Sequence, residues 1–169
     1  KVEKNGITTN YTTNKINAYT AISGGETFTP QYDANGNLLN DTDHQYRYNL
    51  NNKLVGVDTN LASYAYDALG RRISKTTNFG TITYFYVGDQ MIEEFNGKSL
   101  IANYVYGNNI DEALQMKRGN NTYYYHANQL GSIMTLTDKD GKVAERIEYD
   151  TYGKPTGRNR QHNGGPLPP

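Results

Sequence analysis

The strongest constraint on this chain is a tyrosine that returns at a near-constant interval just ahead of a turn-forming segment. It stands at Tyr32, Tyr48, Tyr66, Tyr86, Tyr106, Tyr125 and Tyr149, at intervals of 16, 18, 20, 20, 19 and 24 residues. A fixed period of this size marks a repeat architecture whose units contact mainly their neighbours. The units read YDANGNL, YNLNNKL, YDALGRRI, YVGDQMI, YGNNIDE, YHANQLGSI and YDTYGKP. Three of them place an aspartate after the tyrosine: Asp33, Asp67 and Asp150.

Each unit spells a β-hairpin. The tyrosine ends a strand, and the aspartate can accept a bond from its own backbone a residue or two on, forming an Asx-turn. Gly36, Gly70 or Gly153 then supplies the left-handed conformation. An apolar residue opens the return strand, as at Leu38, Leu54, Ile73 and Ile92. Opposite turns are expected at Asn96-Gly97, Gly119-Asn120-Asn121 and Asp138-Lys139-Asp140-Gly141, where Asn-Gly and Asp-Gly are strong short-hairpin signals. The best helical stretch, Ile110 to Lys117, is too short to stand alone.

A second pattern lies inside the first. Tyrosines stand two apart at Tyr46/Tyr48, Tyr64/Tyr66, Tyr84/Tyr86, Tyr104/Tyr106 and Tyr123/Tyr125. Residues two apart on a strand share a face, so each incoming strand offers two rings to one side. Successive hairpins would line these rings into a tyrosine stripe. The stripe has two uses: packing between neighbouring hairpins, which the pattern favours, or stacking of a ligand.

Composition supports this reading. Tyrosine is abundant (16) beside 4 phenylalanines and no tryptophan, and there are 17 glycines. Tyrosine favours strands, and glycine favours tight turns. Lys plus Arg equals Asp plus Glu at 17 each, so no net charge draws the chain to nucleic acid or an acidic surface. There is no cysteine, which excludes disulfides and thiolate metal sites. No apolar run is long enough to span a bilayer, and any export signal is expected outside these residues.

Three regions are expected. Residues 1–29 form a Thr/Asn/Gly-rich lead-in able to make strands, for example around Tyr19 to Ile22. Residues 30–153 form the repeat sheet, and residues 154–169, with four of the five prolines, form an irregular tail.

No constellation points to catalysis. Asp33, Asn35 and Asn37 alternate as in a calcium loop, but glycine stands fourth and His44 occupies the twelfth position, so the turn reading prevails. His44, His126 and His162 lack metal-ligand spacing, and His126 is expected to orient the next turn through a hydrogen bond. Glu93/Glu94, Glu145 and Glu148 lie on predicted strands and could be paired as in a glycosidase, as could acids in any all-β chain. No catalytic residue, metal or cofactor is assigned.

The words YDANGNL (32–38), YAYDALGRRISK (64–75), YVYG (104–107), YYHANQLGSIMTLTDKDG (124–141) and YDTYGKP (149–155) resemble the YD-repeat family, specifically the start of the rearrangement-hotspot (RHS) core. The resemblance covers about Tyr19 to Pro155. It implies an all-β array of antiparallel hairpins in a curved, twisted sheet, part of a spiral shell like those of toxin-complex C-subunits and teneurins. It implies a secreted or cell-surface bacterial protein, not an enzyme, whose shell encapsulates or presents a C-terminal toxin or effector. The partners implied are the rest of the shell or another copy joined through sheet edges, and the cargo. Nucleic acid and a membrane span are not among them. The alternative is a cell-surface or wall-associated carbohydrate-binding or adhesion module that uses the tyrosine stripe. The family's self-cleaving aspartates lie in a GLYYxRARYYDP-like segment that these residues do not contain, so the chain is expected to be a fragment, a truncated member or an assembling piece.

Overall fold

A computed structural model describes residues 2–160 apart from residues 5, 16, 25, 26 and 152. The described residues form seventeen β-strands and no helix, and every strand pairing is antiparallel. The chain divides into two compact units, residues 1–81 and 82–169.

The first unit opens with β1 (Val2–Lys4), β2 (Ile7–Thr13) and β3 (Tyr19–Ser23), which pair in that order. The lead-in is therefore a three-stranded sheet. A hairpin follows, β4 (Gln31–Tyr32) with β5 (Leu38–Asn40). Then β6 (Tyr46–Tyr48), β7 (Leu54–Val57), β8 (Ala62–Tyr66) and β9 (Arg72–Thr77) form a meander. Val57 is buried in this unit.

The second unit is a longer meander, with each strand beside its chain neighbour. It runs through β10 (Gly80–Val87), β11 (Gln90–Asn96), β12 (Ser99–Tyr106), β13 (Ala113–Arg118), β14 (Asn121–Ala127), β15 (Ile133–Asp138), β16 (Val143–Tyr149) and β17 (Pro155–Arg160). Its core is Met116, Tyr123, Leu136 and Ala144, with Tyr104, Tyr125, Ile133 and Ile147 packed against them. No large side chain among the described residues is fully buried, as a single-layer sheet dictates.

The expected irregular tail fails at Pro155–Arg160, which form β17 and pair with β16 from Tyr149↔Pro155 to Glu145↔Arg160. Proline cannot donate to a ladder, and here it takes the first position of a strand, where that is tolerated. Residues 161–169 lie outside the described residues.

One turn recurs along the chain. At Asp33, Asn49, Asp67, Asn128 and Asp138 the side-chain Oδ1 accepts bonds from the amides two and four residues on, at 2.8–3.1 Å. At Asp150 it accepts from the Lys154 amide at 2.9 Å. The backbone closes the same loop, the first amide donating to the fifth carbonyl and the fourth amide to the first. The fourth residue has positive φ: Gly36, Asn52, Gly70, Gly131, Gly141 and Gly153, between 58° and 84°. Two expectations need correction. The turn placed after Tyr125 begins at Asn128, because that side chain supplies the acceptor and β14 continues through His126 and Ala127. The Asp138–Gly141 turn, expected among the opposite turns rather than the YD-type ones, has this same five-residue Asx geometry. Two-residue loops occur instead at Gly88-Asp89, Gly97-Lys98 and Gly119-Asn120.

The position of the left-handed residue gives a test. A Cβ at Gly131 would meet nothing within 4 Å, so only its φ of 80° opposes a side chain. Gly131→Ala is expected to cost about 1–2 kcal/mol. Gly131→Asn should cost less than half of that, since Asn52 holds the equivalent position. Urea denaturation followed by circular dichroism checks both, and equal costs would refute the turn argument.

Candidate functional site

The ten tyrosines of the predicted stripe lie on the more covered side of their strands. Tyr46/Tyr48 flank exposed Arg47, and Tyr64/Tyr66 flank exposed Ala65. Tyr84/Tyr86, Tyr104/Tyr106 and Tyr123/Tyr125 flank exposed Phe85, Val105 and Tyr124. Tyr123 is fully within the core of the second unit, and the other nine are half-buried.

Near the end of each incoming strand on this side the register shifts. The shifts fall at Gln31/Tyr32, Arg47/Tyr48, Ala65/Tyr66, Phe85/Tyr86, Val105/Tyr106, His126/Ala127 and Glu148/Tyr149. A bulge re-aims the side chain that follows it. Three of these tyrosines use the new aim identically. Tyr66 donates its hydroxyl to the Leu54 carbonyl, Tyr106 to Met91 and Tyr149 to Ile133, each at 2.8 Å. The acceptor lies at the start of the preceding hairpin's return strand. The ladder between the two hairpins stops at Gly56↔Ser63, Glu93↔Asn103 and Thr135↔Arg146, two residues short of that acceptor. The hydroxyl thus replaces the ladder bond where the strands part. Tyr149, outside the predicted stripe, belongs to the set. Its signal was the tyrosine period, and the requirement for a partner two apart hid it.

In the second unit a polar cluster interrupts the aromatic side. Tyr104 donates to Glu94 at 2.5 Å, and one Arg118 nitrogen donates to Glu94 and to the Tyr104 hydroxyl, each at 3.0 Å. Burial and then the Glu94 carboxylate push the Tyr104 phenol far above its usual range. Burial works against the Arg118 charge, but Glu94 and Tyr104 more than offset it and hold its pKa above the ordinary value. Glu94 was singled out only as a possible acid. Arg118 was missed, because the pair is 24 residues apart and meets only through two ladders with bulges. This cluster is a closed ion pair, with its carboxylate engaged on both oxygens.

The remaining polar candidates are local. Asp33 Oδ1 and Oδ2 bond the amides of Asn35 and Asn37 and the Asn37 side chain, so this segment spends its oxygens on its own turn. The Asn37 side chain, then the backbone amides, hold Asp33 below the usual carboxylate range. His44 Nδ1 lies 2.9 Å from Asp58 Oδ2, which keeps its imidazole above the ordinary value. Asp58 also accepts from the Gln45 amide, and Asp41 accepts from the Tyr46 hydroxyl and the amides of Asp43 and His44. They line a shallow polar niche on an exposed rim. His126, expected to orient a turn, instead meets Thr137 across the ladder at 2.9 Å. The cause is again the later turn, which leaves His126 inside β14. Among the described residues no group of three or more His, Asp or Glu is placed to hold a metal ion. No helix among them is long and apolar enough to cross a membrane.

Comparison with known proteins gives a consistent picture. The family described as Teneurin YD-shell matches residues 1–156. The chain is 32% identical over 133 residues to the tRNA3(Ser)-specific nuclease WapA of Bacillus spizizenii, covering 74% of this chain and 6% of that protein. The tRNA nuclease WapA of Bacillus subtilis matches to the same extent. The chain therefore spans about one sixteenth of these relatives' length. Among solved structures, the Photorhabdus luminescens Tc holotoxin pore matches with a TM-score of 0.54 and 15% identity, covering 91% of this chain and 10% of that one. TcdB2-TccC3 without its hypervariable C-terminal region matches with a TM-score of 0.53 and 16% identity, covering 92% and 10%. At this identity the two structures establish a shared fold.

Two outcomes are expected. Phenylalanine at position 66, 106 or 149 removes the donor and leaves a carbonyl without its bond, at about 1 kcal/mol each. Tyr64→Phe should change little, because Tyr64 carries the Arg72 guanidinium over its ring and no hydroxyl bond. Chemical denaturation of the four variants checks this, and equal losses would sink the latch. The second outcome concerns alkaline pH. The hydrogen bond to Asp41 pushes Tyr46 up to about 12, and burial pushes Tyr125 up to about 12. Unfolded phenols ionise near 10. Their contribution is complete below pH 10 and is lost as pH rises toward 12. An absorbance titration should show a late-ionising class that shrinks in Tyr125→Phe, with thermal stability falling over the same window.

Proposed function

The chain belongs to the Teneurin YD-shell family, and on that footing we propose that it forms part of the wall of a bacterial RHS-type shell that encloses a toxin or effector. The observation that carries this reading is the repeated latch. Bulge, tyrosine hydroxyl and neighbouring carbonyl tie three of the hairpins to the one before, a bond that suits an extendable wall. The WapA relatives are named as tRNA nucleases, and this chain matches a small fraction of each. In our reading the chemistry belongs to a cargo domain elsewhere in such proteins, and this segment is not itself an enzyme. β17 pairs on one side with β16, and its other edge offers backbone groups to a further strand of the same wall. A secreted or cell-surface setting goes with this role. The alternative, a carbohydrate-binding module, draws no support from the stripe, whose rings are buried or half-buried and whose Tyr66, Tyr104 and Tyr106 hydroxyls are engaged inside the sheet.

The test is protection of cargo. In a longer polypeptide carrying this segment and an effector domain, protease should spare the effector while the wall is intact. Substituting alanine for Tyr66, Tyr106 and Tyr149 together should open the wall and expose it to digestion. Equal digestion of the effector in both proteins would defeat the proposal.

A further inference from the structure

In the first unit β5 and β6 follow each other in the chain, yet they share only the bridge Asn40↔Gln45 and belong to different sheets. The hairpin β4–β5 thus joins the β6–β9 meander along a narrow seam. At its turn end the Asn37 side-chain amide donates to Asn52 Oδ1 at 2.8 Å. At the other end the chain crosses from β5 to β6 through the tight corner Asp41–His44. There the Asp41 amide donates to the His44 carbonyl at 3.1 Å, and Asp41 Oδ1 accepts from the amides of Asp43 and His44. A residue outside the seam fastens this corner. Asp58, just past β7, has a left-handed φ of 49° and reaches the start of β6. Its amide donates to the Gln45 carbonyl at 2.7 Å, and its Oδ1 accepts from the Gln45 amide at 2.8 Å. Its Oδ2 lies 2.9 Å from His44 Nδ1. One carboxylate therefore closes the open end of the β6–β7 hairpin with one oxygen and holds the β5–β6 corner with the other. Of the groups in this junction, the imidazole is the one that changes charge near neutral pH.

We infer that His44 and Asp58 form a protonation-dependent clasp, which holds the β5–β6 corner on the meander in mild acid and slackens as pH rises through neutrality. The charged groups around the imidazole favour its cationic form. Asp58 comes from the end of β7, and Asp41 and Asp43 lie on the imidazole's own corner. The Arg47 guanidinium of β6 is turned to the Asp58 carbonyl, at 3.4 Å. The Tyr46 ring stands T-shaped to the imidazole at 6.3 Å, and its hydroxyl, donated to Asp41, stays protonated throughout this range. Loss of the imidazole proton removes the attraction to the three carboxylates. It also lets the remaining proton sit on Nε2, which leaves Nδ1 and Asp58 Oδ2 as two acceptors face to face. The bond to Asp58 holds His44 above the ordinary histidine value. The clasp is therefore complete below the unfolded value of 6.5 and is lost as pH rises through the higher folded one. The His44 and Asp58 side chains are 41% and 36% exposed, so water screens the pair and the response is modest and confined to the seam. This inference does not rest on the enclosure of a cargo.

Proton NMR of the whole chain, combined with amide hydrogen exchange, tests the clasp. The His44 ring should titrate above the ordinary histidine value in the wild type and fall toward it in Asp58→Asn, a change that keeps the left-handed backbone tolerable. After correction for the intrinsic base-catalysed rate, the His44 and Gln45 amides should open about threefold more often in mild alkali than in mild acid. That rise should vanish in His44→Gln. The Leu69 and Arg71 amides, held by the Asp67 turn, should show no such rise in either protein. Both substituted side chains are partly exposed, so circular dichroism of each variant should match the wild type. A wild-type His44 ring that titrates at or below the ordinary value overturns the inference without any variant. So does a ring that titrates identically in Asp58→Asn, or a seam whose opening rises with pH as much in His44→Gln as in the wild type.

Discussion

The structure depends on how an antiparallel ribbon disposes of backbone groups where its ladder stops. A buried or half-buried amide or carbonyl without a partner costs about 1–3 kcal/mol, more than a typical bond contributes. Hairpins create two such problems at their turns, and at Tyr66-Asp67 and Tyr149-Asp150 the repeat word solves both. The Asp or Asn oxygen takes the turn amides. The tyrosine before it, thrown sideways by a bulge, gives its hydroxyl to the orphaned carbonyl of the previous hairpin. The first bond is internal to a hairpin. The second joins hairpins, and so converts a string of local turns into a sheet.

That division of labour explains why the aromatic residue is tyrosine. Phenylalanine would cover the same area, but it could not reach a carbonyl beyond the end of the ladder. A single-layer sheet also buries little: in the second unit the core is Met116, Tyr123, Leu136 and Ala144, with half-buried rings around it. A side chain that is apolar along its ring and hydrogen-bonding at its tip is stable in such a half-wet place. The Glu94–Tyr104–Arg118 cluster extends the same logic to a charged pair. Its cost of burial is met by bonds on every side, and it links β11, β12 and β13 in one register. A slip of one residue would turn those groups to the opposite side of the sheet.

What could be read from the chain divides along the same line. The hairpins, their order and the left-handed glycines were legible, because Asx and glycine chemistry acts within five residues. Asn49 and Asn128 carry the same oxygen as aspartate, so their turns were open to the same reading; the tyrosine period, taken as the marker in place of the acceptor, put one of them two residues early. The latches span 12 to 16 residues and need the bulges to be placed first. The Glu94–Arg118 pair spans 24 and needs two registers. β17 was hidden by composition: proline and glycine read as coil, although the Asp150 turn aims the chain back along β16 whatever follows.

The nearest-neighbour character of these bonds bears on what the molecule can do. Every latch runs from one hairpin to its predecessor, so these bonds act between neighbours along the ribbon. Such a structure lengthens without redesign and tolerates variation in any single unit, as the turns beginning with Asp33, Asn49 and Asn128 illustrate. The polar groups most able to react here, Glu94, Asp58 and the turn carboxylates, are committed to holding the backbone or one another. Several of the chain's carboxylates and phenols thus serve the ends of its own ladders.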